Sequence, residues 1–309
     1  MSSRIYDFNT YLRTLYGERV QKITIDAGFT CPNRDGTKAI GGCIFCNHKG
    51  SGTGQSIAGL SVKEQILMAQ QSIQRRYKAR KFLAYFQSFS NTYADIETLK
   101  RLYEEALSVE GVVGLCIGTR PDCIDTQVVD LLENYGRTHL VWLELGLQSF
   151  HDKTLQRINR GHGTKEFLEA IELTRSRKKI NICVHVILGL PGETRSEMID
   201  TSRRLAALEI HGIKLHLLYV IKGTALATLY QQGEYRCLTR EEYIDILCEF
   251  IQHLPPNVVI QRLISDPHPD ELLAPAWVMD KGENRRKIEE AMEQRDIRQG
   301  DKVGNGQGQ

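Results

Sequence analysis

Apolar positions along the chain recur in two alternating rhythms. Short runs rich in Val, Ile and aromatic residues, at 20–26, 81–87, 112–118, 139–148, 180–188 and 213–219, predict strands. Between them, apolar residues three and four apart predict helices at 62–77, 95–107, 125–134, 165–177 and 195–208. Ser61 with Glu64 three residues on is a capping-box pair for the first of these, and Asp125 caps the third. Six strand-helix steps of about 30 residues, with strands apolar on both faces, point to a parallel α/β sheet with right-handed crossovers. Such a sheet is either doubly wound or curved into a partial barrel, and in both its functional loops gather at the C-terminal strand ends.

Beyond Gly223 the rhythm weakens to a helix at 240–253, a short apolar strand at 258–262 and the irregular DPHPDELLAPAW. The last residues, RQGDKVGNGQGQ, are polar and Gly-rich and read as disordered. The pattern divides the chain into a barrel at 1–225, a C-terminal α/β extension at 226–283 and a tail at 284–309, helical and then disordered.

Some strands carry polar residues on one parity. In the fourth, Trp142, Glu144, Gly146 and Gln148 share a face opposite Val141, Leu143, Leu145 and Leu147. The fifth sets Asn181, Cys183 and His185 opposite Ile182, Val184 and Val186, and the sixth puts Lys214 and His216 together. A single buried polar residue is usually a satisfied core group, but polar faces on three successive strands predict a polar lumen.

Beside that lumen stands the stretch CPNRDGTKAIGGCIFC, residues 31–46, in the loop after the first strand. It offers Cys31, Cys43 and Cys46 in C-x11-C-x2-C spacing, with Pro32, Gly36 and the Gly41-Gly42 pair suited to a wrapping loop. Two readings follow. With His48 as a fourth ligand the loop is a closed Cys3His zinc site, whereas three thiolates on a 4Fe-4S cluster leave one iron open to a chelating small molecule. The turn GLPGET at 189–194 is a second candidate, where helix amides could meet an anionic group.

Composition narrows the classes. The chain has 309 residues, 41% hydrophobic and 25% charged, enough for one sizeable core, and its net charge of +2 supplies no general field for nucleic acid or membrane. Basic runs at 75–81, 175–179 and 285–287 read as solvated helix ends. No stretch has the length of a membrane span, the N-terminus lacks a signal-peptide core, and the expectation is a cytoplasmic protein. Eight cysteines in such a chain are not a disulfide framework; Cys116, Cys123, Cys183, Cys237 and Cys248 read as buried apolar side chains, with Cys123 set apart by its place in a loop.

Together the motifs CPNRDG with GGCIFC, LAYFQSFSNTYA, CIGTRPDC, WLELGLQS, INRGH, ILGLPGET and IKLHLLYVIKGT resemble the radical S-adenosylmethionine (SAM) enzymes of the YhcC/YtqA type, relatives of the Elongator catalytic-subunit and HemN branches. The resemblance runs from about Tyr6 to Trp277. It implies a partial (β/α)6 TIM-like barrel with a small C-terminal extension, and a 4Fe-4S cluster on Cys31, Cys43 and Cys46 that binds SAM. It implies reductive cleavage of SAM to a 5′-deoxyadenosyl radical, fed by a donor such as flavodoxin or ferredoxin. By position, Phe45, Gln148 and Arg160 match cofactor contacts, and Gln87 and Ser88 lie where a glycine-rich motif receives the methionine amino group. His185 stands where relatives often have an aspartate and Gly118 where many have a glutamate, which makes His185 a candidate ribose ligand. Substrate contacts are assigned to Lys214, His216 and Lys222.

Three functions remain in view. The resemblance implies a radical SAM enzyme acting on a tRNA wobble-uridine side chain. A second reading is radical oxidation or rearrangement of a small metabolite. The third is a zinc-stabilised RNA-binding protein without redox chemistry.

Overall fold

The computed structural model describes residues 4–47, 50, 59–87 and 89–303. Seven parallel strands form one sheet in the order β1, β2, β3, β4, β5, β6, β8. They are β1 Val20–Ile25, β2 Lys81–Phe86, β3 Val112–Thr119, β4 Leu140–Gln148, β5 Ile180–Leu188, β6 Gly212–Leu217 and β8 Val259–Arg262. Each step from β1 to β6 returns through helix on the outer face: α2 Val62–Tyr77, α3 Ile96–Leu107, α4 Thr126–Gly136, the short α5 Asp152–Arg157 with α6 Thr164–Arg175, and α7 Arg195–Ala206. Ser61, Asp95, Asp125 and Thr194 cap their helices as short polar side chains do, and Ser61 with Glu64 completes its capping box.

The six expected strands and five crossover helices all form. The strand expected at 258–262 pairs with β6 and adds a seventh strand to the six. α9 Arg240–Gln252 and α10 Lys281–Gln294 cover that edge. The pattern of apolar residues did not reveal α1 Phe8–Tyr16, α8 Ala225–Gln231, or the two-stranded antiparallel pair β7 Val220–Ile221 with β9 Leu272–Ala274. The tail is ordered further than its composition suggests, because Gln299 answers backbone groups: its Nε2 donates to Pro255 O and Val258 O at 2.7 Å each, and its Oε1 accepts from Tyr6 N at 2.9 Å.

The strand faces separate as the parity predicts. Val141, Leu143, Leu145, Leu147, Ile182, Val184 and Val186 are buried under the helices in the main core. Trp142, Cys116, Cys183, Leu83 and Val259 point the other way and form an apolar floor with Leu12, Phe8 and Tyr11 of the N-terminal helix. Trp142 meets Phe8 and Tyr11 edge-on at 5.7 and 5.5 Å. α1 therefore plugs one end of the lumen.

Above the floor lies a buried carboxylate. Glu144 is fully buried and accepts from Lys22 Nζ of β1 at 2.9 Å, from His185 Nε2 of β5 at 2.9 Å, and from Lys214 Nζ of β6. Burial by itself raises the Glu144 pKa, but Lys214, Lys22 and His185 outweigh it and hold the group well below the usual carboxylate range. Lys22 also donates to Gln261 Oε1 of β8 at 2.6 Å. The sheet order sets five strands between β1 and β8, so this contact across the lumen requires the sheet to curl into a partial barrel.

Removing one member of such a cluster strands the others in a site with little water. Glu144→Ala is expected to lower unfolding free energy by about 3–5 kcal/mol in urea titrations. Combining Glu144→Leu with Lys214→Met should cost less than the two single losses added; additive losses would show that the charges do not act as a cluster.

Candidate functional site

The loop between β1 and α2 is closed by its own backbone. Arg34 N donates to Cys31 O at 2.8 Å, Lys38 N to Pro32 O at 2.8 Å, Gly42 N to Asn33 O at 2.8 Å and Cys46 N to Cys43 O at 2.9 Å. Gly36, Gly41 and Gly42 all take positive φ, the conformation the sequence leads one to expect of them. Cys31 and Cys43 are buried and Cys46 is half-buried. Burial, and then the charge of Cys43, push the Cys46 thiol up to about 11, with Arg34 acting the other way. Among the described residues no group of three His, Cys, Asp or Glu side chains is arranged around a single metal ion. His48 and Ser88 lie outside the described residues.

The segment 158–162, INRGH, holds this loop from the barrel side. Asn33 Nδ2 donates to Asn159 O at 2.7 Å, Asn159 Nδ2 to Gly42 O at 2.8 Å, and Ile44 N to Ile158 O at 3.1 Å. Arg160 reaches inward, with Nη1 3.5 Å from Cys43 Sγ and Nη2 donating to Gly146 O at 2.7 Å. Asn33 Nδ2 is 3.7 Å from the same sulfur. Arg120 fixes Arg160 in turn, donating to its carbonyl at 2.7 Å while paired with Asp122 at 2.9 Å. Gly161 is obligatory here: at φ +73° an added Cβ would stand 2.3 Å from Asn33 Oδ1.

Several buried polar atoms around the loop have no partner among the described residues: Asn33 Oδ1, Ser90 Oγ, Arg160 Nε and His162 Nε2. Three thiols on one loop, N–H donors beside the Cys43 sulfur and unanswered polar atoms make a set that suits an iron-sulfur cluster and a polar ligand beside it.

The other sequence-derived positions divide. Gln148 sits at the end of β4 with φ +79°, next to Gly146, where an added Cβ would be 2.6 Å from Arg160 Nη2 and 2.8 Å from Gln148 Nε2. Gly146, Gln148 and Arg160 thus converge beside Cys43. Phe45 packs with Ile44 against Leu155, Ile158 and Leu226, anchoring the loop rather than standing free. Gln87 follows β2 directly, its backbone N 3.5 Å from Ile25 O. Ser90 and Cys123 are neighbours, and burial pushes the Cys123 thiol up to about 12 with Asp122 and Cys31 contributing.

His185 is bound to Glu144, and burial lowers its pKa to about 4 against that hydrogen bond, so it is neutral. His216 stacks obliquely on His185 at 5.2 Å. Lys214 is nearly buried and committed to Glu144, and Cys183 belongs to the floor. Lys222 does not join them: it is exposed and donates to Asp270 O at 2.9 Å. The GLPGET turn is likewise occupied by its own residues, since Thr194 and Glu197 form a capping box and Glu193 accepts from Ser149 Oγ.

Sequence reasoning missed Lys22, Asn33, Arg120, Asn159, Gln261 and Arg262. Lys22 was the most accessible of them, because it falls on the parity opposite Ile23 and Ile25 in β1. The rest depend on loop and long-range contacts that no periodicity encodes.

Glu193 gives a pH test of the GLQS-to-GLPGET contact. Burial pushes its carboxyl up to about 7, only partly offset by the Ser149 hydrogen bond. The unfolded carboxyl ionises near 4.5, so between that pH and about 7 the folded state holds more protons and stability falls as pH rises. Glu193→Gln, measured by urea unfolding, should match the parent near pH 4 and exceed it above pH 7.5 by on the order of 1–3 kcal/mol. A difference that does not change with pH would show that folding leaves the Glu193 pKa where it is in the unfolded chain.

Comparison with known proteins agrees with this arrangement. Residues 31–205 match the radical SAM superfamily and residues 210–294 match a radical SAM C-terminal domain. The uncharacterized protein YtqA of Bacillus subtilis is 37% identical over 300 residues, covering 96% of this chain and 92% of its own. Protein YhcC of Escherichia coli K12 is 41% identical over 271 residues, 87% and 86% of the two chains. Among solved structures, archaeal Methanocaldococcus infernus Elp3 superposes with a TM-score of 0.70 at 16% identity, over 91% of this chain and 64% of that one, a likeness of fold. The radical SAM model covers more than half of the chain and these relatives match along most of it, and the chain belongs to the radical SAM superfamily.

Proposed function

We propose that Cys31, Cys43 and Cys46 hold a 4Fe-4S cluster with one iron left for SAM, and that the protein acts on a wobble-uridine side chain of tRNA. The observation that carries the cofactor assignment is Arg160 Nη1 at 3.5 Å from Cys43 Sγ, beside Gly146 and Gln148 at the lumen mouth. When bound, the cluster and SAM together supply a 5′-deoxyadenosyl radical able to remove a hydrogen atom from substrate, given an electron from a donor such as flavodoxin or ferredoxin.

The chain's own residues do the rest. Arg160 places positive charge and an N–H beside the Cys43 sulfur, where they would offset negative charge on a bound cluster. Asn33 adds a second N–H to the same sulfur and ties the loop to 158–162. The absence of a side chain at Gly146 leaves room for Arg160 and Gln148 to meet there. Gln87, Ser88, Gln148 and Arg160 are placed as SAM contacts by their positions in the motifs, and Phe45 fixes the turn between the last two thiols. The neutral ring of His185, clamped to Glu144, presents its remaining edge to the lumen as a ribose partner.

Substrate reaches the lumen from the side. Between β1 and β8 the sheet does not close, and a cavity of about 1050 Å³ there is lined by Phe8, Lys22, Gln261, Arg262 and residues of α10. An open flank of this size admits one group of a larger body, which supports a nucleotide in an RNA over a small metabolite enclosed whole. Membership of an enzyme superfamily removes the zinc-stabilised RNA-binding protein from consideration.

Protein reconstituted without oxygen should carry about four irons and four sulfides and form 5′-deoxyadenosine on adding SAM and dithionite. Cys43→Ala should lose at least nine-tenths of that product, roughly the effect of removing a ligand of the cluster. Incubation with bulk tRNA should then change one wobble nucleoside in a mass-spectrometric digest. Product without any tRNA change would move the substrate to a small metabolite, and zinc in place of iron would end the radical reading.

A further inference from the structure

The lumen holds more cationic charge than its one carboxylate answers. Lys22 and Lys214 both spend their charge on Glu144. Arg262 of β8 is the in-register neighbour of Lys214 and lines the flank cavity. It makes no hydrogen bond or ion pair among the described residues. Two further donors beside it are unanswered: His216 Nε2 and Gln261 Nε2 are buried and have no partner. The amide of Gln261 is oriented by its other end, where Oε1 accepts from Lys22 at 2.6 Å.

Gln261 and Arg262 line the flank cavity, and His216 follows Lys214 on the same face of β6. His216, whose pKa is held well below the usual histidine value by burial, His185 and then Arg262, is neutral and so has one N–H to offer. Of the carboxylates lining the cavity, Asp266 is paired with Lys281 at 2.6 Å, Glu289 with Arg285 at 2.8 Å, Asp7 caps α1 and Glu293 stands on α10, while Glu271 nearby accepts from Asn47 at 3.0 Å.

We infer that Arg262, His216 and Gln261 form a binding site for an oxyanion carried by the substrate, a carboxylate or a phosphate, at the inner end of the flank cavity. The inference rests on reading the lumen as the substrate chamber. A planar guanidinium accepts such a group through two parallel N–H bonds, and an unpaired one half out of water gains more from it than an exposed cation does. Around Glu144 itself, Lys22, Lys214 and the strand neighbour Arg262 leave an excess of positive charge, which suits a negatively charged substituent rather than a bare base or an amine.

The test is thermal unfolding of reconstituted protein at fixed pH and ionic strength, with malonate, inorganic phosphate or chloride as the added anion. Malonate or phosphate should raise the melting temperature saturably beyond chloride, and the stronger of the two identifies the substituent as carboxylate or phosphate. Arg262→Gln should weaken that binding at least tenfold, and Arg262→Lys, which keeps charge but loses the fork, should fall between. Because Arg262 has no partner to lose, both variants are expected to fold, and His216→Phe gives an independent loss of one donor. The stabilisation should persist in saturating SAM. Equal stabilisation of parent and Arg262→Gln, none in the parent, or its abolition by SAM would each overturn the assignment, the last by giving the site to the carboxylate of SAM itself. Iron content and 5′-deoxyadenosine formation by the parent, measured on the same preparation, separate this outcome from failure of the cofactor reading.

Discussion

One buried carboxylate sets the shape of the barrel. Glu144 stands in the middle of the sheet, yet its partners come from β1, β5 and β6, and Lys22 passes on to Gln261 of β8. A flat sheet could not bring these side chains together, since neighbouring strands are about 4.8 Å apart and β1 and β8 are its two edges. Burying an ion this deeply is costly unless its partners are complete, so the arrangement tolerates little variation in strand curvature. The same ions keep the lumen polar above an apolar floor of Trp142, Cys116 and Cys183. A space that might have filled with aliphatic side chains is thereby left for a ligand.

The cysteine loop depends on a second, more local constraint. Its thiols are presented by a loop, but it is not an independent unit, because the side chains of Asn33 and Asn159 and the backbones of Ile44 and Ile158 lace it to the segment after β4. Arg160 connects that lacing to the barrel by spanning Cys43 and Gly146. The β7 and α8 region supplies the opposite wall, where Leu226 N donates to Ile44 O at 2.9 Å. Thiols held from both sides in this way keep one orientation relative to the barrel.

How much of this was legible beforehand follows from the range of the interactions. Strand and helix order, the caps at Ser61 and Asp125, and the polar faces of β4, β5 and β6 are local or period-two signals, and they were readable. So was the three-cysteine loop, through its spacing and glycines. The assignment of Lys214 to substrate was natural from parity alone, but only the fold shows that Glu144 takes its charge. Lys222 follows the same stretch of sequence, yet the chain turns at β7 and sends it to solvent. α1 was missed because its apolar residues serve a floor built from distant strands, and Gln299 because its ordering depends on backbone groups of Tyr6, Pro255 and Val258 far away in sequence.

The open flank and the buried ions are two consequences of one arrangement. Closing the barrel would need β8 to pair with β1, but the N-terminal segment occupies that edge: Ile260 N donates to Tyr6 O at 2.8 Å, and Asp7 forms a parallel bridge to Ile260. α1 then turns under the sheet and seals the floor rather than the side. With the edge covered and the floor plugged, the route to the lumen runs past Lys22, Gln261 and Arg262. The side chains that would first meet an incoming group are thus a committed lysine, an oriented amide and an uncommitted guanidinium. Arg262 has no hydrogen bond or ion pair among the described residues, while the neighbouring lysines are held on Glu144 and maintain the curvature that exposes it.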